Sequence, residues 1–216
     1  AFVAAGAAGL SIVDISTPSF SELTSFDTYG SAYRVEITDD LALVAGRAPD
    51  VFAPQNSGLT IVDISEPSDP ALVSRLDLSP ERADLRSGGT YAVKAVGGLA
   101  LTLTDLLDQE ANRDSDGDGY CDKQELRDGT NPYLDWQYPA IPPEPFCARA
   151  LLQVIDISDP YHPAIVANAN VPTPAVSLDI YREYVAVATG RAGVKMIALP
   201  FPCVLGMDPA DGEEDV

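Results

Sequence analysis

An all-β fold, a β-propeller of short four-stranded blades, is the architecture this sequence predicts, and three observations predict it. One eight-residue string recurs four times along the chain. Short β-type runs recur around each copy, about four to a unit. Helical periodicity is absent outside one large insert.

The string is Gly9-Leu-Ser-Ile-Val-Asp-Ile-Ser16, which returns as Gly58-Leu-Thr-Ile-Val-Asp-Ile-Ser65 and as Leu151-Leu-Gln-Val-Ile-Asp-Ile-Ser158. A weaker copy, Gly193-Val-Lys-Met-Ile-Ala-Leu-Pro200, puts Ala198 in place of the aspartate and Pro200 in place of the serine. Pro-rich turns follow the first three copies, at Pro18, at Pro67 and Pro70, and at Pro160 and Pro163. A second β-type block precedes each copy, beginning at Phe2, Leu41, Leu99 and Tyr184. Further extended stretches cover residues 32–37, 72–78, 91–96 and 176–180.

Asp63 follows Asp14 by 49 residues, Asp156 follows Asp63 by 93, and Ala198 follows Asp156 by 42. Removing two insertions, Arg47 to Asn56 and about Asp105 to Ala150, brings the intervals to about 39, 47 and 42 residues, around an underlying period of about 40 to 42. Four short strands in that period suit a propeller blade, because each small sheet buries its faces against its neighbours. A parallel β-helix has shorter rungs, and an immunoglobulin-like sandwich does not repeat one string.

The G-L-x-I-V-D-I-S-x-P string resembles the LVIVD repeat of propeller-like bacterial and archaeal surface proteins, over roughly residues 1–104 and 151–200. The resemblance implies exported, blade-forming repeats. Blade segments are therefore expected at 1–104 and 151–200, an insert at 105–150 and an acidic C-terminal tail at 201–216. The strand pattern opens on the second strand of a blade and closes after the third of another, about three and a half blades. Either further sequence or another chain is expected to supply the rest. Unpaired blade edges are templates for pairing, so head-to-tail self-association into a homo-oligomer or fibre is expected.

Thirty-three Asp and Glu against thirteen Lys and Arg give a net charge of −20, which repels nucleic-acid phosphates and anionic lipid. Nucleic acid is excluded as a partner. No apolar run reaches the roughly 18 to 20 residues of a bilayer-spanning helix, so membrane insertion is not expected. One histidine and three cysteines leave little for a soft-metal centre, whereas the acidic excess suits a hard divalent cation, Ca2+.

The insert carries the most specific signal, Asp114-Ser-Asp-Gly-Asp-Gly-Tyr-Cys-Asp-Lys-Gln-Glu125. Its carboxylates fall at positions 1, 3, 5, 9 and 12 of a twelve-residue loop, as in an EF-hand calcium loop. Asp114, Asp116 and Asp118 each offer an oxygen, Tyr120 a backbone carbonyl, Asp122 an oxygen directly or through water, and Glu125 two oxygens. Gly119 permits the sharp turn. Five carboxylates so close together repel one another without a counter-ion. Leu106 to Asn112 is expected to make a short entering helix, and Gly129-Thr-Asn-Pro132 stops any turn after the loop. The run resembles the calcium repeats of thrombospondin type 3 and related bacterial surface proteins, which implies an extracellular structural calcium site.

Cys121 lies in that loop and Cys147 near the end of the insert, and a disulfide between them is expected to tie the insert together, contributing about 3 kcal/mol. Two unrelated thiols are the alternative. Cys203 is left as a free thiol, a partner of either, or a link to another chain. Trp136, Tyr133 and Tyr138 form a Pro-rich aromatic strap, read as packing of the insert first and as a sugar or peptide patch second. Asp14, Asp63 and Asp156 are read as turn-forming residues and His162 as a surface residue.

No nucleophile elbow, phosphate loop or dinucleotide fingerprint is present, so no catalytic residue is assigned and an enzyme is not expected. The expected role is that of an extracellular or cell-surface structural or adhesive protein. The alternative is a module of a longer surface protein that recognises a protein or glycan ligand, with a propeller hydrolase third.

Overall fold

The computed structural model describes residues 1–47, 58–78, 85–108, 130–131, 149–172, 175–190 and 193–199. Among these the chain is all β, with fourteen strands in four antiparallel sheets and no α-helix. The first sheet holds β1 (Phe2–Ala4), β2 (Leu10–Asp14) and β3 (Ser21–Phe26). The second holds β4 (Ser31–Thr38), β5 (Leu41–Arg47), β6 (Gly58–Asp63) and β7 (Ala71–Asp77). The third holds β8 (Leu85–Val96), β9 (Leu99–Asp108), β10 (Arg149–Asp156) and β11 (Ala164–Pro172). The fourth holds β12 (Ser177–Tyr181), β13 (Tyr184–Ala188) and β14 (Val194–Ala198). Each sheet is a meander whose strands neighbour one another in chain order.

The repeat fixes register as well as strand identity. Leu41 pairs with Asp63, Leu99 with Asp156 and Tyr184 with Ala198, so the first residue of the second strand meets the same place of the string each time. Three copies of the string also bulge against the following strand at one place, between Ile12 and Val13, Ile61 and Val62, and Val154 and Ile155. The extra residue is Leu23, Val73 or Val166 on the outer strand, so the shared bulge is a feature of the unit that bends the outer strand just after its Pro-rich turn. Two-residue hairpins close the first strand of each unit on the second, with Thr38 opposite Leu41, Val96 opposite Leu99 and Tyr181 opposite Tyr184. Their first turn residues, Asp39, Gly97 and Arg182, take positive φ.

Alternation along the strands sends apolar side chains to both faces of each sheet, and three cores join the four sheets. Leu10 and Ile12 of the first sheet pack on Ala42, Val44, Val62 and Ile64 of the second. Leu43, Leu59 and Ile61 of the second meet Ala100, Ile155 and Ile157 of the third. Leu101, Leu103, Leu152 and Val154 of the third meet Leu178, Val185, Val187 and Leu199 of the fourth. The rule is the same at every step: the apolar residues at the second and fourth places of the string face the following sheet, and those at the fifth and seventh places face the preceding one. Each such side chain, fully buried, contributes roughly 1.5–3 kcal/mol. The second and third sheets are also tied by Tyr33 stacked on Tyr91, with ring centroids 5.4 Å apart, and by Ser74 Oγ donating to the Pro160 carbonyl at 2.6 Å.

Pairing in the third sheet runs further than the repeat alone suggests. β9 continues to Asp108 and β10 starts at Arg149, with Leu106 opposite Arg149 and Asp105 opposite Ala150. Residues 105–108 and 149–150, assigned to the insert from sequence, are therefore strand. The helix expected from Leu106 does not begin there, because a long antiparallel partner satisfies the backbone of 106–108 and overrides local propensity. Residues 109–112 lie outside the described residues.

The third sheet buries a polar pair opposite one another, Thr102 and Gln153. Gln153 Nε2 donates to the Leu78 carbonyl at 3.4 Å, while Thr102 Oγ1 and Gln153 Oε1 have no partner among the described residues. A buried hydroxyl with no partner costs its desolvation with no return. Thr102→Val keeps the shape and removes the hydroxyl, so denaturant unfolding should show a gain of about 1 kcal/mol. A loss of stability would mean that the hydroxyl is bonded in solution.

Candidate functional site

The sequence-predicted metal ligands, Asp114, Asp116, Asp118, Tyr120, Asp122 and Glu125, lie outside the described residues, as do Cys121, Cys147 and Cys203 and the aromatic strap. The strands that carry the segment are described. It leaves the third sheet at the end of β9 and returns at the start of β10, strands that are hydrogen-bonded neighbours. The shorter insertion after Arg47 issues from the equivalent hairpin of the second sheet, between β5 and β6. Both insertions thus interrupt the same joint of the repeat, where lengthening a hairpin costs little because its ends already meet. Among the described residues no group of three or more His, Cys, Asp or Glu side chains is placed to hold a metal ion.

The recurring aspartates form turns. Asp14, Asp63 and Asp156 each accept from the backbone N–H of the serine two residues on, at 2.8, 2.8 and 2.9 Å. Ser158 Oγ adds a bond to Asp156 at 2.6 Å. Bonds from the hydroxyl and backbone N–H of Ser16 hold the Asp14 carboxyl below the usual carboxylate range. The backbone N–H and hydroxyl of Ser65 do the same for Asp63, and the hydroxyl and backbone N–H of Ser158 for Asp156. The next residue, Ile64 or Ile157, donates its N–H to the hairpin carbonyl of Asp40 or Gly98. Leu199 donates likewise to Glu183, so the fourth copy keeps the backbone bond while Ala198 forgoes the side-chain one. A turn bonded this way presents no ring of acids for chemistry.

His162 sits on the surface in the turn after the third copy, its Nδ1 2.8 Å from Asp159 Oδ2. That bond, with the backbone N–H of Tyr161, draws the Asp159 carboxyl down. No nucleophile or second base among the described residues bonds to this pair, and nothing there resembles a catalytic arrangement.

Sequence reasoning missed the outward faces of the two terminal sheets. Val194 and Met196 on the fourth sheet, and Val3 and Ile15 on the first, are large apolar residues left exposed. The signal available was weak: the fourth copy retains the apolar pattern of the string while losing its aspartate.

Comparison with known proteins matches the strands and the insert separately. The LVIVD repeat family matches residues 1–28, 51–77 and 148–171, three of the four copies of the string. The bacterial TSP3 repeat family, associated with calcium binding, matches residues 114–133 and so contains all six predicted ligands. Repeats of both kinds are typical of secreted or surface proteins. No curated protein matches the chain. Among solved structures the chain is similar to the computationally designed Ika4 protein, with 9% identity and a TM-score of 0.50 over 92% of this chain and 84% of that one. At that identity the likeness concerns the fold alone. The match to the computationally designed Ika8 protein covers 92% of this chain and 80% of that one, with 8% identity and a TM-score of 0.27.

Proposed function

We propose that this chain is a non-enzymatic, extracellular or cell-surface calcium-binding β-propeller protein with a structural or adhesive role, which assembles with further copies of itself through blade completion. The observation that carries this reading is the coincidence, at residues 114–125, of a complete hard-oxygen ligand pattern with the TSP3 match. Asp114, Asp116, Asp118, Asp122 and Glu125, with the Tyr120 carbonyl, are oxygen donors only, the set a hard divalent cation prefers. A bound Ca2+ supplies charge neutralisation and cross-linking rather than catalysis. The Cys121–Cys147 disulfide belongs to the same proposal, tying one insert in an oxidising compartment.

The propeller reading draws support from the sheets themselves. β4 touches β8 and β8 touches β12, so in the last three units the first strand of one approaches that of the next, as blades do around an axis, while β4 meets the second strand, β1, of the unit before it. Among the described residues the sheets hold three, four, four and three strands, with no inner strand in the first and no outer strand in the last.

Blade completion draws support from three glycines. A Cβ on Gly9 or Gly58 would stand 2.2 Å from a carbonyl of the outer strand, Phe26 or Leu76, whereas at Gly193 nothing lies within 4 Å. Gly193 nevertheless shares the left-handed φ of Gly9, +81° against +78°. The edge of β14 is shaped for an outer strand that the described residues do not supply.

Isothermal titration of the chelator-stripped protein with calcium should give one saturable site. Glu125→Gln, which removes a bidentate ligand, should weaken it by about tenfold or more. Absence of saturable heat in the unaltered protein would remove the calcium reading.

A further inference from the structure

The four sheets follow one packing rule, and the rule leaves one unmatched face at each end. Leu59 and Ile61, or Leu152 and Val154, are covered by the following sheet and at most 3% exposed. Their counterparts in the fourth copy, Val194 and Met196, are 66% and 51% exposed, and Tyr184 stands beside them on β13, cross-strand from Ala198. At the other end, Ile64 and Ile157 are covered by the preceding sheet at 6% exposure, whereas their counterpart Ile15 is 59% exposed. Val3 on β1 lies on the same side, opposite Ser11. One chain therefore shows one spare face of the kind that donates and one spare face of the kind that receives. Among the described residues these two faces of one chain do not cover each other.

We infer that the outward face of the fourth sheet, Val194, Met196 and Tyr184, receives the outward face of the first sheet, Val3 and Ile15, of a second copy of this chain. This deepens the assembly reading above and rests on it, adding a face-to-face joint to edge pairing. The occupant is set by the internal repeat: at all three joints among the described residues this class of face is covered by the other class, and the described residues carry one unused member of each. Such a contact is heterologous, so it propagates unless rotation closes it into a ring. With a net charge of −20 on each copy, the apolar contact forms against mutual repulsion, so added salt strengthens it, the reverse of an ion-paired joint.

The test is sedimentation velocity on the full chain with calcium, from micromolar to millimolar concentration, with two surface variants. Val194→Glu with Met196→Glu removes the receiving face, and Ile15→Glu removes the entering one. All three positions are exposed, so circular dichroism should show the fold retained; if either variant fails to fold, the alanine replacements take its place. Each variant alone should associate about a hundredfold more weakly than the unaltered chain. Mixed in equal amounts, the two should form a one-to-one complex and nothing larger, since each retains the face the other lacks. Dimerisation of either variant alone would mean like faces pair and would overturn the head-to-tail joint. Unaltered chains that assemble while both variants assemble equally well would overturn the face contact and leave edge completion standing. Unaltered chains that remain monomeric throughout would overturn the assembly reading as a whole, this joint included.

Discussion

Replacing Gly58 by alanine is expected to cost about 4 kcal/mol, enough to lower Tm by about 10 °C in a chain of this length. Gly58 begins β6 at φ +130°, a region open in practice only to glycine. Its added Cβ would stand 2.2 Å from the Leu76 carbonyl oxygen and 3.0 Å from the Leu78 N, both backbone atoms that no rotamer change can move. Relief requires β7 to separate from β6, which breaks the ladder between Gly58 and Asp77 and opens the core around Leu59 and Leu78. Gly193→Ala is the internal control. It shares the positive φ but meets no atom within 4 Å, so only backbone strain remains, about 1 kcal/mol. Thermal unfolding of the two variants side by side decides the point; equal losses would show that backbone conformation, not the outer strand, sets the cost.

The same position explains why the third copy dispenses with glycine. Leu151 lies inside a strand that starts two residues earlier, paired with Thr104 on one side and Asn170 on the other. No sharp entry is needed where the ladder already runs, so an ordinary side chain is accepted. Only the third copy, which carries the large insert, has this extension. That coupling was not legible beforehand, because Asp105-Leu-Leu-Asp108 suits a helix start as well as a strand and only the partner strand decides.

Strand identity was legible for a different reason. Alternation within Leu-x-Ile-Val-Asp-Ile is local, and repetition under one set of turn signals makes each copy evidence for the others. The aspartate turns were legible too, since the acceptor and the serine N–H stand two residues apart in every copy. The expected metal ligands are also local in sequence, all six within twelve consecutive residues, but they lie outside the described residues. The terminal faces were not legible. Val194 and Met196 carry the same hydrophobic signature as Leu59 and Ile61, and whether they are buried depends on a neighbour distant in sequence.

That contrast makes Ile61→Ala and Met196→Ala an informative pair. Ile61 is fully buried between the second and third sheets, against Ala100 and Ile155, where the sheets cannot close over a missing side chain without shifting their registers. Its truncation should cost about 3 to 4 kcal/mol, read by denaturant unfolding, and the loss should be independent of protein concentration. Met196 occupies the equivalent step of the string on a face open to water, so in dilute solution its truncation should cost less than about 0.5 kcal/mol. If the fourth sheet receives another copy, the two variants diverge in kind as well as in size. Association stabilises the folded chain by mass action, so unaltered protein should melt higher as concentration rises, while Met196→Ala should lose much of that dependence. A Met196→Ala penalty as large as that of Ile61 in dilute solution would mean the face is already covered within one chain. A concentration dependence that survives the truncation unchanged would place the joint elsewhere, on the open edge of β14.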